Sequence, residues 1–258
     1  MTLTVGSLFS GIGGLDLGLE QAGMETVWQV EFDDWARGKL DENFPHTEKF
    51  KDVREVGKHN LRPVDLICGG FPCQDLSTLN HKREGLDGKR SGLWSEYYRI
   101  ICELRPRFVV IENVASLLVD GFDRLLSDLS GGGYDAEWQV FRASAFGQPQ
   151  LRKRLFVVCY ATGLGPFRST IFKRNHYQNV QSRSPWRNTD TVYLEDIGRS
   201  YPTIPEHLRM DNGFSFELSE IEAAIKGYGN AVCPPVAKWI GERIIEFDER
   251  LKLENSVS

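Results

Sequence analysis

A chain of 258 residues, 41% of them hydrophobic and 26% charged, has room for one large α/β domain, or one with a small insert, around a substantial core. No apolar stretch approaches membrane-spanning length and the N-terminus lacks a signal peptide's basic start and apolar body, so a cytoplasmic chain with no membrane partner is expected. Five cysteines, an odd number without a Cys-x-x-Cys pair, argue against a disulfide framework and a zinc site, while a net charge of −5 does not by itself suggest a nucleic-acid partner.

Strand-like runs are predicted at Thr4 to Phe9, Thr26 to Phe32, Val64 to Cys68, Phe108 to Ile111, Ala136 to Phe141 and Leu155 to Tyr160. Helical periodicity lies between them at Gly14 to Ala22, Trp35 to Asn43, Leu93 to Leu104 and Phe122 to Leu129. Strands alternating with helices imply a doubly wound, mostly parallel sheet. The periodicity is lost from about Ala161, where turn-forming and basic residues take over. It returns at Glu217 to Lys226 and in an amphipathic helix, Val236 to Leu253, whose stripe carries Ile240, Ile244, Ile245 and Phe247. From Leu151 to Arg187 there are eight basic residues and no Asp or Glu, so one face is expected to be strongly positive.

Three loops carry chemistry. Phe9-Ser10-Gly11-Ile12-Gly13-Gly14-Leu15-Asp16 follows the first strand, and its glycines bring backbone amides near a ligand at a helix start. Asp16 stands where a dinucleotide fingerprint has its third glycine, and a carboxylate sits badly with a pyrophosphate, which disfavours a nicotinamide oxidoreductase. Pro72-Cys73-Gln74 follows the Val64 to Cys68 run, which puts a thiol at the carboxyl edge of the sheet, where open α/β folds bind ligands. The tripeptide alone leaves a packed core cysteine and a nucleophile equally open. Glu112-Asn113-Val114, closing the Phe108 to Ile111 run, brings a carboxyl to the same edge and favours the nucleophile.

These segments, with Gln150-Leu151-Arg152-Lys153-Arg154 and Gly229-Asn230-Ala231-Val232, occur in the order that marks DNA (cytosine-5) methyltransferases. The chain resembles a small member of that family over residues 1 to about 160 and again from about 227. The resemblance implies an α/β fold of the S-adenosylmethionine-dependent methyltransferase type. Residues 1–160 are then the catalytic and cofactor-binding domain, 161–226 a small irregular target-recognition lobe, and 227–258 a segment returning to the catalytic domain. S-adenosylmethionine is the implied cofactor and double-stranded DNA the implied partner. A monomer is expected, with no metal, acting on DNA in a bacterial or phage-infected cell, in restriction-modification or another setting.

The resemblance also implies roles. Phe9, Ser10, Gly11, Ile12, Gly13 and Gly14 would form the cofactor loop, and Glu31 would accept hydrogen bonds from both ribose hydroxyls. Phe32 would stack on adenine and Asp52 and Val53 would contact its edge. Gly70, Pro72, Leu93, Asn230 and Val232 would complete the pocket. Cys73 is the implied nucleophile, adding to cytosine C6 as the thiolate. Glu112 would relieve charge at N3, Arg154 would bind O2 and orient Glu112, and Arg152 would lie on the same side, with Lys153 pointing elsewhere. Because C5 and C6 are enclosed in a duplex, the base must be flipped out. The segment Asp75 to Ser91 resembles the loop that closes over it, so Gln74, Ser77, Lys82, Arg83, Lys89 and Arg90 are candidate DNA contacts, together with Lys173 and Arg174 in the lobe. The lobe is short, and Arg209-Met210-Asp211-Asn212-Gly213 stands where a longer conserved segment is usual, so the target sequence is not legible. Two alternatives stay open: the same reaction on RNA, although the Cys-Phe-Thr signature of tRNA-methylating relatives is absent, and a non-catalytic DNA-binding protein with this fold.

Overall fold

The computed structural model describes residues 2–72, 92–119, 121–146, 153–162, 171–172, 227 and 231–257. Seven strands form one sheet: β1 (Thr4–Leu8), β2 (Glu25–Val30), β3 (Glu48–Phe50), β4 (Leu66–Gly69), β5 (Phe108–Val114), β6 (Tyr134–Arg142) and β7 (Lys153–Ala161). Their order is β3-β2-β1-β4-β5-β7-β6, parallel except for β7, which runs antiparallel to both β5 and β6. The described helices longer than one turn are α1 (Gly14–Gln21), α2 (Asp34–Asn43), α3 (Leu93–Leu104), α4 (Phe122–Gly131) and α5 (Pro234–Val257).

The central strands read as unbroken apolar runs because helices cover both faces. Alternation along a strand then divides the core in two. Ile67, Val109 and Ile111 point to one side, with Tyr97, Ile100 and Ile101 of α3 and Leu125 and Leu129 of α4. Leu66, Cys68, Phe108 and Val110 point to the other, with Leu15 and Leu19 of α1 and Val236, Ile240, Ile244 and Phe247 of α5. Burying each such side chain contributes about 1.5–3 kcal/mol. The stripe expected on the last helix is therefore real. It lies against α1, where Ala237 meets Gly18, and against the apolar face that includes Val5 of β1.

The expected strands shift by one to three residues at their ends, and two departures from expectation have a clear cause in the sheet. The edge strand β3 is three residues long, too short for a periodicity to show, and is held by its ladder to β2. β5 does not end at Ile111; Glu112, Asn113 and Val114 pair with Phe156, Leu155 and Arg154 of β7, so pairing across the sheet extends a strand that local polarity would end. Within the expected lobe, residues 171 and 172 are fastened to the sheet. The backbone amides of Ile171 and Phe172 donate to the Glu137 carboxylate of β6 at 3.0 and 3.1 Å, and the Phe172 ring stacks on Trp239 of α5.

Candidate cofactor cleft and reaction edge

The carboxyl ends of β1, β2, β4 and β5 border a cleft of about 220 Å³ lined by Ser7, Phe9, Ser10, Gly11, Leu15, Glu31, Asp33, Trp35, Ala36, Gly69, Gly70, Glu112, Gly227, Ala231 and Val232. This is the crevice where strand order reverses, with β1 bordered by β2 on one side and β4 on the other. The loop after β1 is shaped by its backbone. Phe9 takes a left-handed φ of 54°, a conformation that costs a non-glycine residue on the order of 1–2 kcal/mol, and its ring packs 6.1 Å from that of Tyr97. A Cβ on Gly14 would lie 2.4 Å from the Val232 carbonyl, so the first helix begins in contact with a residue more than two hundred positions away. Only glycine permits that approach.

Glu31 is fixed at the cleft wall by two backbone amides, from Gly11 at 2.7 Å and from Asp33 at 2.8 Å. Gly11 and Glu31, from different strand ends, are thereby locked together. Asp16 is placed differently from expectation. It does not face the cleft but is fully buried behind Ser7, whose hydroxyl donates to it at 3.1 Å, while Gln29 donates at 2.8 Å. Burial pushes its carboxyl up to about 6, against the lowering effect of those two hydrogen bonds.

At the far side of the cleft, β5 and β7 bring the expected carboxyl and guanidinium together. Glu112 lies opposite Phe156, and Arg154, two residues along, reaches the diagonal position on the same face, with its Nε 2.8 Å from Glu112 Oε1. Lys153 is exposed, as its alternate position requires. The other Glu112 oxygen lies 2.7 Å from where a Cβ on Gly70 would be, so the carboxylate abuts the backbone leading to Cys73. Asn113 holds the same segment, its amide donating to the Phe71 carbonyl at 3.0 Å, and the Phe71 ring packs against Trp94 and Tyr97 of α3. The two polar residues that lengthen β5 thus clasp the loop 70–71.

Of the residues implied by the resemblance, Phe9, Ser10, Gly11, Glu31, Gly70, Glu112 and Val232 line the cleft. Ile12, Gly13, Gly14, Phe32, Asp52, Val53, Pro72 and Leu93 do not. Phe32 is 62% exposed with the Lys51 ammonium 5.7 Å from its ring centre, and Asp52 is held by Arg54 through Nε and Nη2, which lowers its pKa. Cys73, Gln74, Ser77, Lys82, Arg83, Lys89, Arg90, Arg152, Lys173, Arg174 and Asn230 lie outside the described residues, as do most of the expected closing loop and lobe. Sequence reasoning gave no role to Ser7, Leu15, Asp33, Trp35, Ala36, Gly69, Gly227 or Ala231, which also line the cleft. Trp35 packs over Gly227, where a Cβ would stand 2.3 Å from the indole. A tryptophan in the first turn of an amphipathic helix reads as core, and the only signal for Trp35 was its closeness to Glu31 in sequence. Among the described residues there is no cluster of metal-ligating side chains and no helix long and apolar enough to cross a membrane.

Residues 3–210 match the family model of the C-5 cytosine-specific DNA methylases. The chain belongs to that family. Among curated relatives, the type II methyltransferase M.NgoFVII of Neisseria gonorrhoeae is 37% identical over 158 residues, covering 59% of this chain and 42% of that protein. The type II methyltransferase M.Bsp6I of Bacillus sp. is 32% identical over 230 residues, covering 81% of this chain and 70% of that protein. The crystal structure of a protein from an E. coli prophage, assigned as a DNA modification methyltransferase, aligns with a TM-score of 0.52 at 32% identity, over 62% of this chain and 47% of that one. The chain spans about half the length of most of the curated relatives it matches. The family match stops before Val232, yet it is Val232 that the fold seats against Gly14.

Proposed function

We propose that this chain transfers a methyl group from S-adenosylmethionine to C5 of cytosine in double-stranded DNA, as the modification half of a restriction system or a related role. The observation that carries the reading is the Glu112–Arg154 pair at the same sheet edge as a cleft whose described lining contains Glu31 and Asp33 and no Lys, Arg or His. A phosphate-bearing dinucleotide would meet carboxylates there with no compensating cation among the described lining residues. The donor set fits an adenosine carrying a positively charged group, with Glu31 toward the ribose hydroxyls, Gly11 and Gly70 presenting backbone, and Val232 closing the far wall. When bound, S-adenosylmethionine supplies an electrophilic methyl group on its sulfonium.

The chain's own residues then do the rest. Cytosine C5 is too weak a nucleophile unaided, so the Cys73 thiolate adds to C6 and raises electron density at C5. Negative charge developing on the ring is relieved through N3, at which Glu112 is aimed as donor or hydrogen-bond partner. Arg154 holds Glu112 in register and offers its remaining N–H groups to O2. After transfer, the C5 proton leaves to water and the C6–S bond breaks, returning the thiolate and an aromatic ring. The base must be out of the stack for any of these contacts, and the basic residues of 75–91 and of the lobe are positioned in sequence to hold the opened duplex.

The test is incubation with cofactor labelled in the methyl group and either mixed-sequence duplex DNA or tRNA, followed by digestion to nucleosides. Label in 5-methyldeoxycytidine is expected. Label only in tRNA would move the reaction to RNA, and cofactor-independent DNA binding with no label would make the chain a non-catalytic binding protein.

A further inference from the structure

Asp16 has no part in the chemistry above, yet it is the one fully buried carboxylate among the described residues, and it sits one side chain behind the cleft wall. Its surroundings form a directed chain. The Lys49 ammonium donates to Thr47 Oγ1 at 2.9 Å, that hydroxyl lies 2.8 Å from Gln29 Oε1, and the Gln29 amide donates to Asp16 at 2.8 Å. On the cleft side, Ser7 donates to its other oxygen and, with Leu15, separates it from the cleft. Asparagine would satisfy the same partners, accepting from Gln29 and donating to Ser7. The fold therefore has no need of a charge at this position, and burial makes that charge costly.

What a buried negative charge can do is distinguish ligands of the same shape and different charge. In a water-poor wall its field is weakly screened. Methyl transfer converts a sulfonium cation into a neutral thioether and leaves the rest of the cofactor unchanged. We propose that Asp16 acts through the Ser7 wall as a charge sensor that favours S-adenosylmethionine over its demethylated product, so that transfer itself weakens retention of the spent cofactor. This rests on the cofactor assignment proposed above. The position of the Asp16 pKa, about 6, makes the device readable, because protonation removes the charge within an accessible range.

Other ionisable groups surround it and must be separated from it. Glu20 is one turn on in α1, beside His46; Cys68 lies beneath Ser7; Asp41 flanks Lys49; Glu31, Asp33 and Glu112 line the cleft, with Arg154 paired to Glu112 outside that lining; Lys238 and Glu242 pair on the α5 flank. All of them are retained when Asp16 alone is changed.

The experiment is calorimetric titration of wild type and Asp16→Asn with S-adenosylmethionine and with S-adenosylhomocysteine, without DNA, at about pH 7 and about pH 5, in buffers of differing ionisation enthalpy. Wild type is expected to prefer the methylated cofactor, to lose several-fold of that preference at the lower pH, and to release a fraction of a proton on binding it but not on binding the product. Asp16→Asn is expected to show a smaller preference, equal at both pH values, with no proton release. A second variant, Gln29→Leu, removes a hydrogen bond that lowers the Asp16 pKa and should move the midpoint of the wild-type pH dependence upward. It serves as the deciding variant if Asp16→Asn does not fold. A preference in Asp16→Asn equal to wild type, a pH dependence that survives in it, or an unmoved midpoint in Gln29→Leu would overturn the proposal. Failure of both ligands to bind wild type would instead overturn the cofactor assignment.

Discussion

Asp16→Asn should also change stability, in a direction opposite to that of most buried substitutions. The Asp16 carboxyl has a folded pKa of about 6 against an ordinary value of 3.8, raised by burial. The folded state thus holds the proton more tightly than the unfolded chain. Stability from the protonated carboxyl is fully present below the ordinary value and is lost as the pH rises through about 6. A difference of about two units at about 1.36 kcal/mol per unit makes the ionised carboxyl a cost of about 3 kcal/mol at neutral pH. Asparagine keeps the shape, and its amide can serve both Ser7 and Gln29. It should therefore be more stable than wild type by about 3 kcal/mol near pH 7.5, falling to about half that near pH 5. For a chain of this length that is a Tm higher by roughly 6–12 °C at the higher pH. Thermal unfolding followed by circular dichroism of both proteins at the two pH values is the assay. An asparagine variant less stable than wild type at the higher pH, or a difference that does not shrink at the lower, would refute the reasoning.

Gly14→Ala puts a methyl 2.4 Å from the Val232 carbonyl, so the loop or the returning segment must shift; cofactor affinity should fall at least tenfold, about 1.4 kcal/mol, as read by calorimetry, while Gly38→Ala, with open space around it, should leave affinity unchanged. Asn113→Ala removes the amide bond to the Phe71 carbonyl and leaves that buried acceptor unpaired; stability should drop by about 1–3 kcal/mol in denaturant titration, and turnover should fall more than cofactor binding because loop 70–71 leads to Cys73. Neutralising both Lys173 and Arg174 to Gln should weaken binding to every DNA sequence alike and reduce the salt dependence by roughly one unit per lost phosphate contact; loss at one base position only would make one of them a base reader.

Much of this arrangement was legible because the chemistry lies where strands end. β1, β4 and β5 announced themselves as apolar runs, and the residues at their carboxyl ends, namely the glycine loop, the Gly69-Gly70 segment and Glu112, line one cleft. The diagonal meeting of Glu112 and Arg154 depended on a β5–β7 register that no local pattern specifies, and that same register extended β5 past its apolar limit. Asp16 was legible as an oddity but not as buried, since its partners Ser7 and Gln29 come from two other elements. Trp35 was missed because its partner Gly227 is far along the chain. Phe32 and Asp52, expected as adenine contacts, stand beside Lys51 and Arg54 in the structure, local pairings that a single sequence does not announce.

The central claim is covalent catalysis at cytosine by Cys73, and a trap tests it most directly. A duplex pool in which 5-fluorocytosine replaces cytosine is incubated with protein and S-adenosylmethionine, then run on a denaturing gel. Fluorine at C5 cannot leave as a proton does, so a methylated adduct that resists denaturation should accumulate with wild type and be absent with Cys73→Ser, which should still bind cofactor. Methyl transfer to ordinary DNA by wild type without any trapped adduct, or an adduct that persists in Cys73→Ser, would contradict the mechanism.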